Sequence, residues 1–389
     1  MELPSPRSLV SRRFVRASFL LVLMLAGAGP LVGQDLPEPD RSVYAAMAGD
    51  ALYQAACADC HGADGRGNAI AALTIPVPVP DFGECSFASR EPDADWIAVA
   101  HQGGPIRGFS SMMPAFGGIL EPEDLERVMG YIRTLCDDAR WPRGELNLPR
   151  AMLTEKAYPE DELVWTVEAP TGDGDRYVTN EIVYEKRYGP RSQIEVVVPF
   201  GVRKRGEGAD ASWVGGLGDL VLGVKHAFFH DIDAGSIVAG GAEVKLPTGK
   251  EEDGFGGGTT VLEGFVSYGQ ILPSDLFLQV QGVAERPTAS GHDTELVARG
   301  VLGWTWAEGG GWGRAWSPML EVQGKRELAD GETWVWDLAP QLQVTLNTRQ
   351  HVMLNAAVLL PVTETEGRDP RLYLYVLWDW FDGGFFEGW

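Results

Sequence analysis

The sequence predicts a two-part chain: a small all-α domain followed by an antiparallel transmembrane β-barrel of about twelve strands. Three observations predict it. Near residue 176 the spacing of apolar residues changes from three and four to two. Glycine and tryptophan are abundant, 49 and 13 of 389 residues, which suits all-β architecture better than an α/β enzyme. After the N-terminal apolar segment, no run is long enough for a transmembrane helix, so any crossing there falls to strands. A net charge of −23 makes a nucleic-acid partner unexpected and tilts toward cationic partners.

Taken in order, residues 1–34 have the pattern of an export signal peptide. Arg12, Arg13 and Arg16 precede the apolar core from Phe19 to Ala28, and small residues follow. Export implies an oxidising compartment for the four cysteines. Residues 35–48, with Pro37 and Pro39, are expected to be a linker. Residues 49–136 form the helical domain. One helix begins at Gly49 and runs into Cys57. A second opens at Glu121-Pro122-Glu123-Asp124, where proline and acidic residues suit a helix N-terminus. Leu125, Val128, Met129, Ile132 and Leu135 give it one apolar face. Between the two helices the sequence reads as loop, with Pro76, Pro78, Pro80 and several glycines.

Residues 137–175, with Trp141-Pro142 and Leu148-Pro149, read as a connector. Residues 176–389 are assigned to the barrel. Ile194, Val196 and Val198 alternate with Glu195 and Val197. Leu276, Leu278 and Val280 alternate with Phe277, Gln279 and Gln281, and comparable runs recur to Trp378. Alternation of this kind also fits a soluble β-sandwich. Membrane placement rests on tryptophans near the expected strand ends (Trp304, Trp306, Trp312, Trp316, Trp334, Trp336, Trp378 and Trp380) and on the aromatic close at Phe385, Phe386 and Trp389.

The segment Cys57-Ala58-Asp59-Cys60-His61 carries the chemistry. Two thiols at this spacing reach the two vinyl groups of a haem, and the next histidine ligates its iron, so one covalently attached haem c is expected. A zinc or redox Cys-x-x-Cys site is the competing reading. Cys85 and Cys136 remain as an even pair, either joined in a disulfide or free and buried. Chain entropy gives a bridge across so long a loop roughly 4 kcal/mol.

With these residues in place, residues 49–136 resemble a small class I cytochrome c. Gly49 to Tyr53 and Cys57 to Gly62 are similar to that family's first helix and haem motif. Ser111-Met112-Met113-Pro114 resembles its distal loop. The resemblance implies His61 and Met113 as the axial metal ligands. Met112 stays open as the alternative, and His101 is a second candidate, otherwise a loop histidine. Arg107 is either a partner for a haem propionate or a surface residue. The Gly254 to Gly258 segment precedes no helix and is not read as a phosphate loop.

The layout resembles fused cytochrome–porins, some of which pass electrons between external donors and the periplasm. It implies an outer-membrane electron carrier with its cytochrome in the periplasm and a periplasmic or extracellular redox partner. A carrier needs no acid, base or nucleophile, so substrate-transforming catalysis is not expected. The alternative is a porin or transporter with an accessory redox-sensing cytochrome.

Overall fold

A computed structural model describes residues 41–69, 78–172, 176–206, 211–307 and 313–380. The expected signal peptide, most of the linker, Pro76, Trp312 and the aromatic close at Phe385, Phe386 and Trp389 lie outside the described residues.

The helical part contains α1 Ser42–Ala45, α2 Gly49–Ala56, α3 Ala58–His61, α4 Cys85–Ala88, α5 Asp93–Gln102 and α6 Pro122–Leu135. α1 falls in the segment read as linker. Arg127 of α6 holds it, donating to the carbonyls of Tyr44, Ala45 and Met47. α6 follows its sequence signals: Pro122 opens it, Glu121 and Asp124 form a reciprocal capping box, and Leu125, Val128, Met129 and Ile132 are buried. α2 crosses α6 so closely that a Cβ at Gly49 would lie 2.0 Å from the Arg127 carbonyl oxygen, so only glycine fits there.

α5 corrects the expectation of loop between the two helices. Its N-cap, Pro92, offers no side-chain cap. Tertiary contacts supply the stability instead. Arg133 of α6 reaches Asp93 at 2.7 Å and the Glu91 carbonyl at 2.6 Å, and its guanidinium lies 4.6 Å from the Trp96 ring.

Among the described residues, fourteen strands make one antiparallel sheet. They are β1 Glu162–Pro170, β2 Tyr177–Tyr188, β3 Ser192–Arg205, β4 Ser212–Leu217, β5 Leu220–Asp231, β6 Ser236–Leu246, β7 Val261–Ile271, β8 Leu276–Pro287, β9 Glu295–Trp304, β10 Trp306–Ala307, β11 Gly313–Glu327, β12 Val335–Leu346, β13 His351–Pro361 and β14 Arg371–Asp379. β1 pairs with both β2 and β14, which closes the ring. β4 and β5 share β3 as neighbour, and β9 and β10 share β11, so the closed barrel has twelve staves. β1 lies in the segment assigned to the connector. Without it β2 and β14 would be open edges. Its inward residues, Glu162, Val164, Thr166 and Glu168, are mostly polar, which hid the strand from an apolar-pattern reading.

The barrel is apolar outside and polar inside. Val280, Leu302, Leu320, Leu374 and Val376 are exposed, whereas Gln279, Gln281, Glu321, Gln323 and Gln341 are buried. Water would penalise such an outer surface, and lipid requires it. Trp304, Trp306 and Trp316 lie in series at one rim, with ring centroids 5.1 and 6.3 Å apart; Trp334 and Trp336 lie at the other.

The connector is not a surface tether. Residues 142–161 enter the lumen and fill the end where β1 begins. Leu148 and Ala151 pack on Phe277, Val301 and Met319. Arg150 pairs with Glu162 and, at 3.0 Å, with Glu185. Lys225 binds Glu155 at 2.6 Å, the Thr154 amide donates to Glu321 at 2.7 Å, and Lys156 pairs with Glu160 and Glu162. Beyond this plug, toward the opposite mouth, a cavity of about 560 Å³ remains, bordered by Glu243, Lys245, Glu263, Glu285 and Arg299.

Candidate functional site

Cys57 ends α2, and α3 carries Cys60 and His61, so one helical turn presents all three side chains. The His61 amide bonds the Cys57 carbonyl at 2.9 Å, which fixes that turn. Tyr53, fully buried, donates its hydroxyl to the Gly62 carbonyl at 2.8 Å and ties the exit of the motif to α2.

The two thiols are half-buried and not joined to each other. Burial, with Cys60 adding to it, pushes the Cys57 thiol up to about 11. Reactive Cys-x-x-Cys nucleophiles are depressed instead, which the Cys57 thiol is not. Burial lowers His61 to about 4, leaving a neutral imidazole able to ligate a metal. Its Nδ1 is buried without a hydrogen-bond partner among the described residues. The Phe82 ring stacks on the imidazole at 4.9 Å and orients it.

Around this turn lies an apolar cradle. Cys57, Ala58, Trp96, Ile97, Ala100, Phe116 and Leu135 all pack on the core cluster that includes Leu52, Tyr53, Phe82, Leu120 and the buried face of α6, yet each is only partly covered. α5 has ten residues and buries none of them fully. Unjoined thiols, a neutral unpartnered imidazole and a half-covered apolar wall fit a planar apolar group held by two thioethers. Trp96 and Ile97 of this wall lie in a segment the sequence reads as loop, where two adjacent apolar side chains are their only local signal.

Met112 is 52% exposed, whereas Met113 is half-buried on the same loop. The Met113 carbonyl accepts from the Gly104 amide at 3.0 Å. His101 lies over Gly117, at the outer end of α5. Cys85 and Cys136 are joined, tying α4 to the end of α6. Arg107 is buried on a pair with Asp95 at 3.1 Å and a hydrogen bond to Asn347 of the barrel at 3.0 Å, so its guanidinium is committed to these groups.

That last contact belongs to an interface. Arg90 pairs with Asp161 at 2.6 Å, Arg314 with Asp95 at 3.7 Å, and His351 with Glu91 at 3.2 Å. Burial alone would raise Asp95. The charges of Arg314, His351 and Arg107 outweigh it and hold the carboxyl below its usual range. The helical part therefore packs on the mouth where β1 begins and β14 ends.

Residues 45–132 match the family model described as cytochrome C oxidase, cbb3-type, subunit III. The helical part is a cytochrome c domain, a family that implies covalent haem c and electron transfer. No curated protein matches the chain. Similar solved structures include an outer membrane channel from Pseudomonas putida F1, at 14% identity and TM-score 0.42, covering 59% of this chain and 99% of that one. Others are the KdgM porin, at 7% identity and TM-score 0.36, covering 56% and 98%, and LpxR from Salmonella typhimurium, at 8% identity and TM-score 0.37, covering 56% and 99%.

Proposed function

We propose that this chain is a one-electron carrier moored in the outer membrane, with one haem c on Cys57 and Cys60 and with His61 and Met113 as axial ligands. The carrying observation is the unjoined Cys57 and Cys60 beside a neutral His61, set against a half-covered apolar wall. When bound, haem c supplies reversible one-electron exchange at its iron. The protein's part is positional. The thiols would hold the macrocycle, Phe82 orients the imidazole, and α5 and Phe116 would shield the bound group from water. A thioether from Met113 favours the reduced state.

An even-stranded outer-membrane barrel keeps its chain ends at the periplasmic mouth. The cytochrome packs on that mouth, so it is assigned to the periplasm with a periplasmic or extracellular redox partner. The lumen is occupied at the same mouth by the chain's own connector, which favours mooring over conduction. The cavity beyond the plug favours a second reading, a porin or transporter with an accessory cytochrome. Conductance in planar bilayers that persists in Cys57→Ala supports that second reading; its absence removes it.

The direct test is a reduced-minus-oxidised spectrum of outer-membrane fractions. A haem signal there, lost in Cys57→Ala together with covalent haem staining, is expected. A colourless mature protein in that fraction would sink the carrier.

A further inference from the structure

From residue 105 to residue 119 the only buried side chain is that of Arg107. The loop that presents Met113 therefore has almost no apolar core of its own, and loops of that kind open at low free-energy cost. Its internal bonds make it one folded piece. Gly104 donates to Met113 at 3.0 Å, Phe109 to Gly104 at 2.9 Å, and Met113 to Ser110 at 3.2 Å. A Cβ at Gly104 would lie 2.2 Å from the Ser110 carbonyl oxygen, so the piece closes tightly only with glycine there.

α5 holds the far end of this loop, where the Phe116 and Gly117 amides donate to the Ala100 and His101 carbonyls at 2.9 Å, and the barrel holds the near end. Arg107 donates to Asn347 at 3.0 Å, in the β12–β13 turn. The Arg349 guanidinium lies 5.5 Å from the Phe109 ring centroid, and the Arg349 backbone packs on Gly108. Arg314 of β11 braces Asp95, which in turn holds Arg107. The barrel thus grips the loop at Arg107, Gly108 and Phe109, four to six residues before Met113.

We propose that the β12–β13 turn is a clamp on the distal loop, so that Asn347 and Arg349 are positioning residues for the sixth ligand. This rests on the reading of Met113 as that ligand. The cytochrome's potential and its closure to added ligands then depend on barrel docking.

The test uses the full-length haem-loaded protein in detergent, with Asn347→Ala/Arg349→Ala and Met113→Ala in parallel. Three readouts are the midpoint potential, carbon monoxide binding to the reduced protein, and amide exchange across residues 103–117. The clamp variant should retain haem, fall in potential toward Met113→Ala, bind carbon monoxide that the parent refuses, and exchange about tenfold faster or more. Parent-like values in the clamp variant, with Met113→Ala altered, overturn the clamp but keep the ligand. Parent-like values in Met113→Ala overturn both. Should the double variant lose haem, Arg349→Lys, which keeps the charge and replaces the planar guanidinium beside Phe109, is scored by the same readouts and the same rules.

Discussion

The helical domain and the barrel sort the same residue types in opposite ways. The cytochrome domain buries Leu52, Leu125, Val128 and Ile132 and turns Asp50, Asp59, Glu123 and Glu126 to solvent. The barrel turns leucine, valine and tryptophan outward and buries glutamate, glutamine and arginine. The solvent on each outer face decides the difference. One domain folds in water, the other against hydrocarbon, and the rule that apolar groups leave water serves both. The plug and the clamp join the two with buried charges, which is where each half is most sensitive.

The largest expected effect separates the halves at the plug. Arg150→Ala removes the cation paired with Glu185 and leaves Glu162 to Lys156, a loss of about 3–5 kcal/mol for a broken buried pair. Barrel unfolding in detergent should shift to lower temperature and conductance should appear, while the reduced haem spectrum stays the same. An unchanged barrel would mean that the plug is not held by this network.

Next comes the bridge confined to the helical half. Cys136→Ser should cost the cytochrome domain about 2–4 kcal/mol. Denaturant titration followed at the haem should show it, and the barrel transition should not move. A shift of both transitions together would show that the domains unfold as one unit.

Acid should weaken the interface next. Asp95 is held below its ordinary value in the folded protein. Its stabilisation is therefore fully present above about pH 4 and is lost as pH falls through the depressed folded value. Unfolding of the cytochrome domain measured from pH 7 downward should show that slope, and Asp95→Asn should flatten it.

The smallest effect is the control. Arg140 and Asp138 form an exposed pair, with Arg140 72% exposed. Arg140→Ala should leave both transitions where they were, since screened surface pairs contribute little.

Within one window of sequence, much was legible. The Cys57 to His61 motif, the capped amphipathic α6 and the alternating strands from β2 onward each depend on neighbours a few residues apart. The cytochrome c reading and the barrel of twelve staves follow from them, and Cys85 and Cys136 are joined, one of the two possibilities for that pair. α5, β1 and the plug did not show. Arg150, Glu155, Lys156 and Glu160 carry the signature of a solvated loop. They are instead satisfied by Glu185, Lys225 and Glu162 inside a lumen whose wall arrives later in the chain.

The sequence by itself determined the Cys57 to His61 motif, the periods of helix and strand, and which face of each strand is apolar, because these are set by covalent spacing and side-chain direction along the backbone. Only the tertiary structure decided that the connector stops the lumen and that Arg107 serves Asp95 and Asn347. The partner of a buried charge is fixed by which distant strand closes beside it, and no local pattern carries that information.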